Sequence, residues 1–329
     1  MHNLHENSAN FVQILCRQMS SSRIIAIICA AAVLCGCGRD RYVVITGYAQ
    51  GGTYSVKANI GGTGTSQRKI AGEIEKLLTT IDTTLSGYNK ASQLSRFNAG
   101  EDIEPSPMFL DILEKSEKFG EETGGAFDVW GAPLFDIWGF GFKNDSLPDN
   151  DAVMRAMALA KEHKVLNFNA IAQGYSCDVI AGYLHSIGVK DMLVDIGEIY
   201  CEGLNPKGKG WSIGIDTPID GNNTPGASLS GIWESDGGAH GVVTSGNYRK
   251  FYVKDGQKYA HTIDPRTGYP VNHNLLSATV VAPTGAEADA LATYFMVIGF
   301  KEAREYIEAH PEIEACLICS DRIWTSDNF

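Results

Sequence analysis

The chain of 329 residues has no surplus of positive charge: 27 lysines and arginines stand against 39 aspartates and glutamates, a net charge of −12. That balance argues against a nucleic-acid backbone as partner and leaves small molecules and proteins. An anionic small molecule would need a metal ion to bridge the charge. The usual phosphate-binding glycine signatures are missing too. There is no G-x-x-x-x-G-K-[ST] loop and no Rossmann glycine fingerprint in a βαβ unit, so a bound nucleotide or flavin is held by another scheme. No G-x-S-x-G nucleophile elbow occurs either. Cysteine is scarce outside the N-terminal stretch, where only Cys177, Cys201, Cys316 and Cys319 remain. Cys316 and Cys319 form a C-x-x-C inside the alternating run IEACLIC, and no second ligand pair at zinc spacing follows. Buried strand thiols are the reading, with a single disulfide of an oxidising compartment as the alternative. Short-period repeats and low-complexity tracts are absent as well.

What is there begins with a leader. After Arg23 the run IIAIICAAAVLCGC has the length of a secretory apolar region and is too short to span a membrane as a mature helix. It closes on Leu34-Cys35-Gly36-Cys37, which resembles a bacterial lipobox. The expectation is a lipoprotein-type signal peptide over residues 1–36, cleavage before Cys37, diacylation of that thiol, and a lipidated tether over 37–42; a plain signal anchor is the alternative. Met19, followed by SSSR, is an alternative start. Residues 43–329 form the folded body, with the hydrophobic content of 44% and charged content of 20% of a globular protein.

Along the body, YVVITGYAQ and TYSVKANI read as two strands joined at Gly51-Gly52. Apolar residues at 70, 74, 77, 78, 81 and 85 predict a helix from Ser66 to about Thr84, followed by the polar loop LSGYNKASQLSRFNAG. Ser106-Pro107 opens a second helix that runs to Gly124-Gly125. The next stretch, GGAFDVWGAPLFDIWGFG, fits neither period: either Trp130 and Trp138 fill a glycine-jointed core, or the stretch lines a pocket for a flat ring. A short helix over 151–163 precedes VLNFNA, read as a strand that runs into the helix of AIAQGYSCDVIAGYLHSIG. Exposed backbone groups at that junction, Asn169 to Gly174, can meet a phosphate or a cation. Strands follow in MLVDIGEIYCEG, WSIGID and near 229–233, 239–244, 248–253 and 257–263, with a polar loop over 217–228. A helix near 300–309 and a strand over 313–319 close an α+β body of mostly antiparallel sheet with packed helices.

The most legible chemistry lies between His261 and Thr293. Thr284 with Glu287 three residues on is a capping box, which starts a helix that ends at Gly299. Asp289 and Thr293 then share one face near the positive end of the helix, a carboxylate beside a hydroxyl, and two such oxygens suit a hard cation such as Mg²⁺. His261 precedes a tight turn at Pro265 and Gly268. The competing reading is a helix-capped unit with an ordinary surface aspartate and a structural histidine.

Eight segments in order resemble the ApbE family of FAD:protein FMN transferases: AQGGTYSVK (49–57), LSGYNKASQLSRFN (85–98), GGAFDVWGAPLFDIWGFG (124–141), NAIAQGYSCD (169–178), LVDIGEIYCEG (193–203), TSGNYRKFY (244–252), HTIDPRTGYPV (261–271) and EADALAT (287–293). The resemblance covers nearly all of 43–321 and implies one domain of the ApbE, T-fold-like kind. It implies flavin contacts at Gln50, Tyr88, Ala126, Phe127, Asp128, Asn167, Gln173 and Ile263. It implies a Mg²⁺ site at the carbonyl of Ala170 with Asp289 and Thr293, and a catalytic part for His261 beside Asp289. Gln50 stands where many members carry Met, Asn167 where many carry Asp, and Ala292 where some carry a further acidic ligand.

The implied reaction moves the FMN half of FAD onto a threonine or serine hydroxyl through a phosphoester bond, with AMP leaving. Such a transfer needs positioning and charge neutralisation more than a protein nucleophile. His261 either accepts the hydroxyl proton or holds a phosphate oxygen as a cation. Implied partners are FAD and acceptor flavoproteins of the cell envelope, such as subunits of membrane redox complexes, with the protein lipid-anchored on the extracytoplasmic, periplasmic side. Two other readings share the site: an FAD pyrophosphatase giving FMN and AMP, and a lipoprotein that binds FAD without turnover.

Overall fold

The computed structural model describes residues 40–139, 147–219, 222, 224, 226–248, 251–254 and 257–329, with backbone alone for 251–254, 257 and 258. The leader with Cys37, the end of the aromatic stretch at Phe140-Gly141, and Arg249-Lys250 lie outside the described residues.

Fourteen strands are described: β1 Tyr42–Ala49, β2 Gly52–Asn59, β3 Met192–Asp195, β4 Ile199–Glu202, β5 Ser212–Asp216, β6 Leu229–Glu234, β7 His240–Gly246, β8 Phe251–Lys254, β9 Gln257–Ala260, β10 Ile263–Asp264, β11 Tyr269–Pro270, β12 Leu275–Ala282, β13 Glu314–Cys319 and β14 Ile323–Thr325. Eight of them form one sheet in the order β1-β2-β3-β4-β7-β12-β13-β14, and every pairing in it is antiparallel. The helices are α1 Gln67–Leu85, α2 Gln93–Asn98, α3 Pro107–Glu122, α4 Ala132–Ile137, α5 Asn150–Ala160, α6 Ala172–Ser186, α7 Gly285–Ile298 and α8 Phe300–Ala309. This is the expected α+β class with a mostly antiparallel sheet.

The alternation of each strand assigns its two faces. Met192, Val194 and Tyr200 turn toward α1 and α6, whose Ile70, Ile74, Ile180 and Leu184 complete one cluster. Further along the same sheet, Val243, Ala278, Val280 and Leu317 pack against Leu291 and Phe295 of α7 and Ile307 of α8. The interleaved residues Leu193, Cys201, Val242 and Val281 meet Trp211, Ile213 and Trp233 of the β5-β6 hairpin on the opposite face. The sheet is therefore a floor with helices on one side and a hairpin on the other. All four body cysteines are buried free thiols, and burial raises the pKa of Cys316 to about 11.

The helix starts follow their local chemistry. Ser66 accepts from the Lys69 amide at 3.3 Å, and Ser106 caps α3 just before Pro107 at the first helical position. Three local readings are corrected. Residues 165–170 form no strand: Leu166 exchanges hydrogen bonds of 2.8 Å with the Asn98 side chain, and the Asn167 amide donates to the Val129 carbonyl. With side-chain and loop partners in place of a neighbouring strand, the segment joins no ladder and turns at Asn169-Ala170 into α6. The polar loop after α1 contains α2, capped by Ser92. The aromatic stretch contains a 3₁₀ turn, Val129–Gly131, and then α4. Both helices have six residues, too few to display a period.

Candidate functional site

The site is built where α6 and α7 begin side by side. Thr284 Oγ1 accepts from the Glu287 amide at 3.2 Å, the expected cap. Asp289, one turn into α7, is 5% exposed, and its Oδ2 accepts from the Gly174 amide of α6 at 3.0 Å. Burial, with the nearby Asp178 charge adding to it, raises the Asp289 carboxyl to about 7. Thr293 follows four residues later on the same face, and both residues line a cavity of about 320 Å³.

The cavity gathers nearly all of the expected site residues. Tyr88, Ala126, Phe127, Asp128, Asn167, Ala170, Gln173, His261, Ile263, Asp289 and Thr293 line it. They arrive from the loop after α1, the aromatic stretch, the 167–173 junction, the β9-β10 connection and α7. Gln50 is the exception among the described residues. It sits at the β1-β2 turn with a φ of 52°, and its amide donates to Ser176 Oγ at 2.7 Å on α6, so it braces that helix.

The aromatic stretch divides between its two readings. Trp130 stacks on His163 with centroids 4.9 Å apart, and the Trp138 indole donates to the Gly268 carbonyl at 2.8 Å. Those two rings are structural. Ala126, Phe127, Asp128 and Phe135 face the cavity instead. Asp128 is pinned because its Oδ1 accepts from the Trp130 amide at 2.8 Å, and burial raises its pKa. Tyr88, 69% exposed, forms the accessible rim.

Residues that the sequence reading did not single out also line the cavity: Glu198 in the β3-β4 turn, and Thr244, Ser245 and Gly246 at the end of β7. The Thr244 amide donates to Glu198 Oε2 at 3.4 Å. The signal was the two motifs that contain them, which carried no residue-level role. Arg266 pairs with Asp264 at 2.9 Å and stabilises the turn. His185, His240, His273 and His310 make structural contacts with Glu202, Asp236, the Met296 carbonyl and the Tyr306 carbonyl.

The donor set can be tested against a cation. Among the described residues no cluster of three or more His, Cys, Asp or Glu side chains is suited to a metal. Of the cavity's three carboxylates, Asp128, Glu198 and Asp289, the one at the start of α7 shares its helix face with the Thr293 hydroxyl, and Ala170 lines the same cavity. A carboxylate, a hydroxyl and a backbone carbonyl are all oxygen donors, a set that suits Mg²⁺, which keeps several waters or takes phosphate oxygens. Ala292 points elsewhere: it is fully buried in the core beneath α7.

Residues 50–317 match the ApbE family. The FAD:protein FMN transferase of Escherichia coli (strain K12) is 33% identical over 260 residues, which cover 71% of this chain and 72% of that protein. That of Vibrio cholerae is 34% identical over 301 residues, covering 84% and 88%. Among solved structures, the flavin transferase ApbE from Vibrio cholerae superposes with a TM-score of 0.76 at 30% identity, over 88% of this chain and 98% of that one. The apo form of the Pseudomonas stutzeri flavinyl transferase ApbE gives 0.77 at 31%, over 88% and 96%.

Proposed function

This chain belongs to the ApbE family and is a transferase, and we propose that it moves the FMN half of FAD onto threonine or serine hydroxyls of partner proteins with the help of Mg²⁺. The single observation that carries this reading is the convergence, on one cavity, of an aromatic rim, an oxygen donor set at the start of α7 and His261.

In this reading Phe127 and Asp128 seat the isoalloxazine ring, with Tyr88 closing over its edge, and Asn167 and Gln173 hydrogen-bond the polar parts of the dinucleotide. Asp289, Thr293 and the Ala170 carbonyl are the residues that would hold Mg²⁺. An ion held there would supply neutralisation of the diphosphate charge against an acidic protein. The acceptor hydroxyl oxygen forms a bond to the FMN-side phosphorus, the P–O bond to AMP breaks, and AMP leaves with the bonding pair. His261 accepts the hydroxyl proton. Apolar walls from Phe127, Phe135, Met296 and Val297 limit water at the phosphorus.

The reading extends to placement in the cell. Among the described residues no helix is long and apolar enough to cross a membrane. The Leu34-Cys35-Gly36-Cys37 tetrapeptide supports a protein cleaved before Cys37 and held on the extracytoplasmic side by lipid on that thiol, its body spanning 43–329, where envelope flavoproteins are the acceptors.

The test is incubation with FAD, Mg²⁺ and a domain bearing an acceptor threonine, following covalent flavin fluorescence, free FMN and AMP. Covalent flavin with one AMP per flavin transferred supports the proposal. Free FMN and AMP without labelled protein would make the enzyme a pyrophosphatase, and unchanged FAD held tightly would make it a flavin-binding protein.

A further inference from the structure

The N-termini of α6 and α7 are capped by each other. Ile171, at the N-cap of α6, gives that helix no side-chain cap. Instead, Oδ2 of Asp289, from α7, accepts from the Gly174 amide at 3.0 Å. In return Asp178, from α6, accepts from the Gly285 and Ala286 amides of α7 through Oδ1 at 2.7 Å and Oδ2 at 2.9 Å. Two carboxylates on two helices thus each satisfy the orphan donors of the opposite helix. The exchange needs close backbones. A Cβ on Gly174 would lie 2.0 Å from the Gly285 carbonyl oxygen, and one on Gly285 would lie 2.4 Å from the Gly174 carbonyl oxygen. The α7 start is also pressed from the sheet side, where a Cβ on Gly241 would lie 2.2 Å from the Thr284 carbonyl oxygen.

We propose that Asp178 is a positioning residue for flavin transfer: by clamping the first turn of α7 onto α6 it keeps the Asp289 carboxylate on the Gly174 amide and at the cavity wall. Asp178 itself is absent from the cavity wall among the described residues. Its effect therefore passes through Asp289, and the proposal rests on the transferase reading for its activity arm. A two-oxygen clamp fixes both the distance and the roll of α7, whereas the Thr284 cap fixes only the backbone at the helix start. Loss of the clamp should therefore be felt at amides that Asp178 does not touch.

The experiment compares the full chain with its Asp178→Asn and Ser66→Ala variants. Ser66→Ala removes a helix cap from α1, away from the cavity, and serves as the control for lost capping alone. Hydrogen exchange is followed in peptides covering 172–176 and 284–288, together with kcat and KM for FAD. For Asp178→Asn, exchange is expected to accelerate about tenfold or more at both sites, including the Gln173 and Gly174 amides, with kcat reduced on the order of 30-fold and KM for FAD changed less than about threefold. Ser66→Ala is expected to leave kcat and both peptides unchanged. Faster exchange confined to 284–288, or a kcat no lower than that of Ser66→Ala, overturns the proposal. If the wild-type chain shows no transfer at all, the function reading fails while the exchange data still decide the clamp. Should Asp178→Asn not fold, Asp178→Glu keeps the charge with one extra methylene, and the same two-site exchange pattern decides.

Discussion

At Asp289 burial and hydrogen bonding pull the charge in opposite directions: the Gly174 amide favours the carboxylate, and desolvation favours the acid. Burial raises the Asp289 carboxyl to about 7 and the Asp178 carboxyl to about 6, against the pull of the backbone amides that each accepts from. Between about pH 4 and pH 7 the folded protein then binds more protons at these sites than the unfolded chain, so metal-free stability falls as pH rises through that window. Asp289→Asn keeps an oxygen for the Gly174 amide but does not ionise. With a chelator at pH 8 this variant is expected to melt at or above the wild type, and the difference should shrink by pH 5. It should also lose transfer activity by on the order of 100-fold or more. A variant that is less stable at pH 8 yet active would contradict both assignments. At the rim, Tyr88→Ala is expected to weaken FAD binding by about tenfold in a fluorescence titration, the equivalent of roughly 1.4 kcal/mol of ring contact, with an unchanged melting temperature. Undiminished affinity would remove Tyr88 from the flavin site.

At the scale of elements, the contact between α6 and α7 depends on glycine where side chains would collide. Gly174→Ala puts a methyl group 2.0 Å from the Gly285 carbonyl oxygen and 2.8 Å from the Asp289 Cβ. It is expected to cost about 1–3 kcal/mol, read as a melting temperature lower by several degrees, together with lost activity. Gly182→Ala, on the same helix, meets nothing within 4 Å. Alanine there should leave activity intact and hold or slightly raise the melting temperature. Equal effects at the two positions would refute the close-contact account. The same contact marks the boundary of what the sequence discloses. The α7 cap was legible because Thr284 and Glu287 are three residues apart, and the pairing of Asp289 with Thr293 followed from helical spacing alone. Asp178 gave no such signal, since its partners Gly285 and Ala286 lie more than a hundred residues away. The 165–170 segment misled for a related reason: its alternation matches a strand, but whether a strand forms depends on a neighbour, and here Asn98 and Val129 supply the partners. Gln50 is outside the cavity lining and hydrogen-bonds Ser176 from the β1-β2 turn, a partner 126 residues away that its own motif does not disclose.

For the whole molecule, the sheet is a rigid floor from which short connections bring rim, donors and histidine to one cavity, so function resides in loops and helix starts far apart in sequence. The proposed lipid anchor at Cys37 is tested separately from this body. Cys37→Ser is expected to abolish incorporation of labelled fatty acid and release the protein from the membrane fraction, while kcat of the purified enzyme stays within about twofold; a membrane-bound, unlabelled variant would favour a signal anchor. The central claim, that the start of α7 holds a divalent ion against the diphosphate of FAD, is tested most directly by an anomalous difference map of the protein crystallised with FAD and Mn²⁺ in place of Mg²⁺. The account predicts a peak about 2.0–2.3 Å from oxygens of Asp289 and Thr293, shared with the diphosphate, and a flavin ring against Phe127. A metal peak elsewhere, or a dinucleotide whose diphosphate lies away from α7, would contradict it.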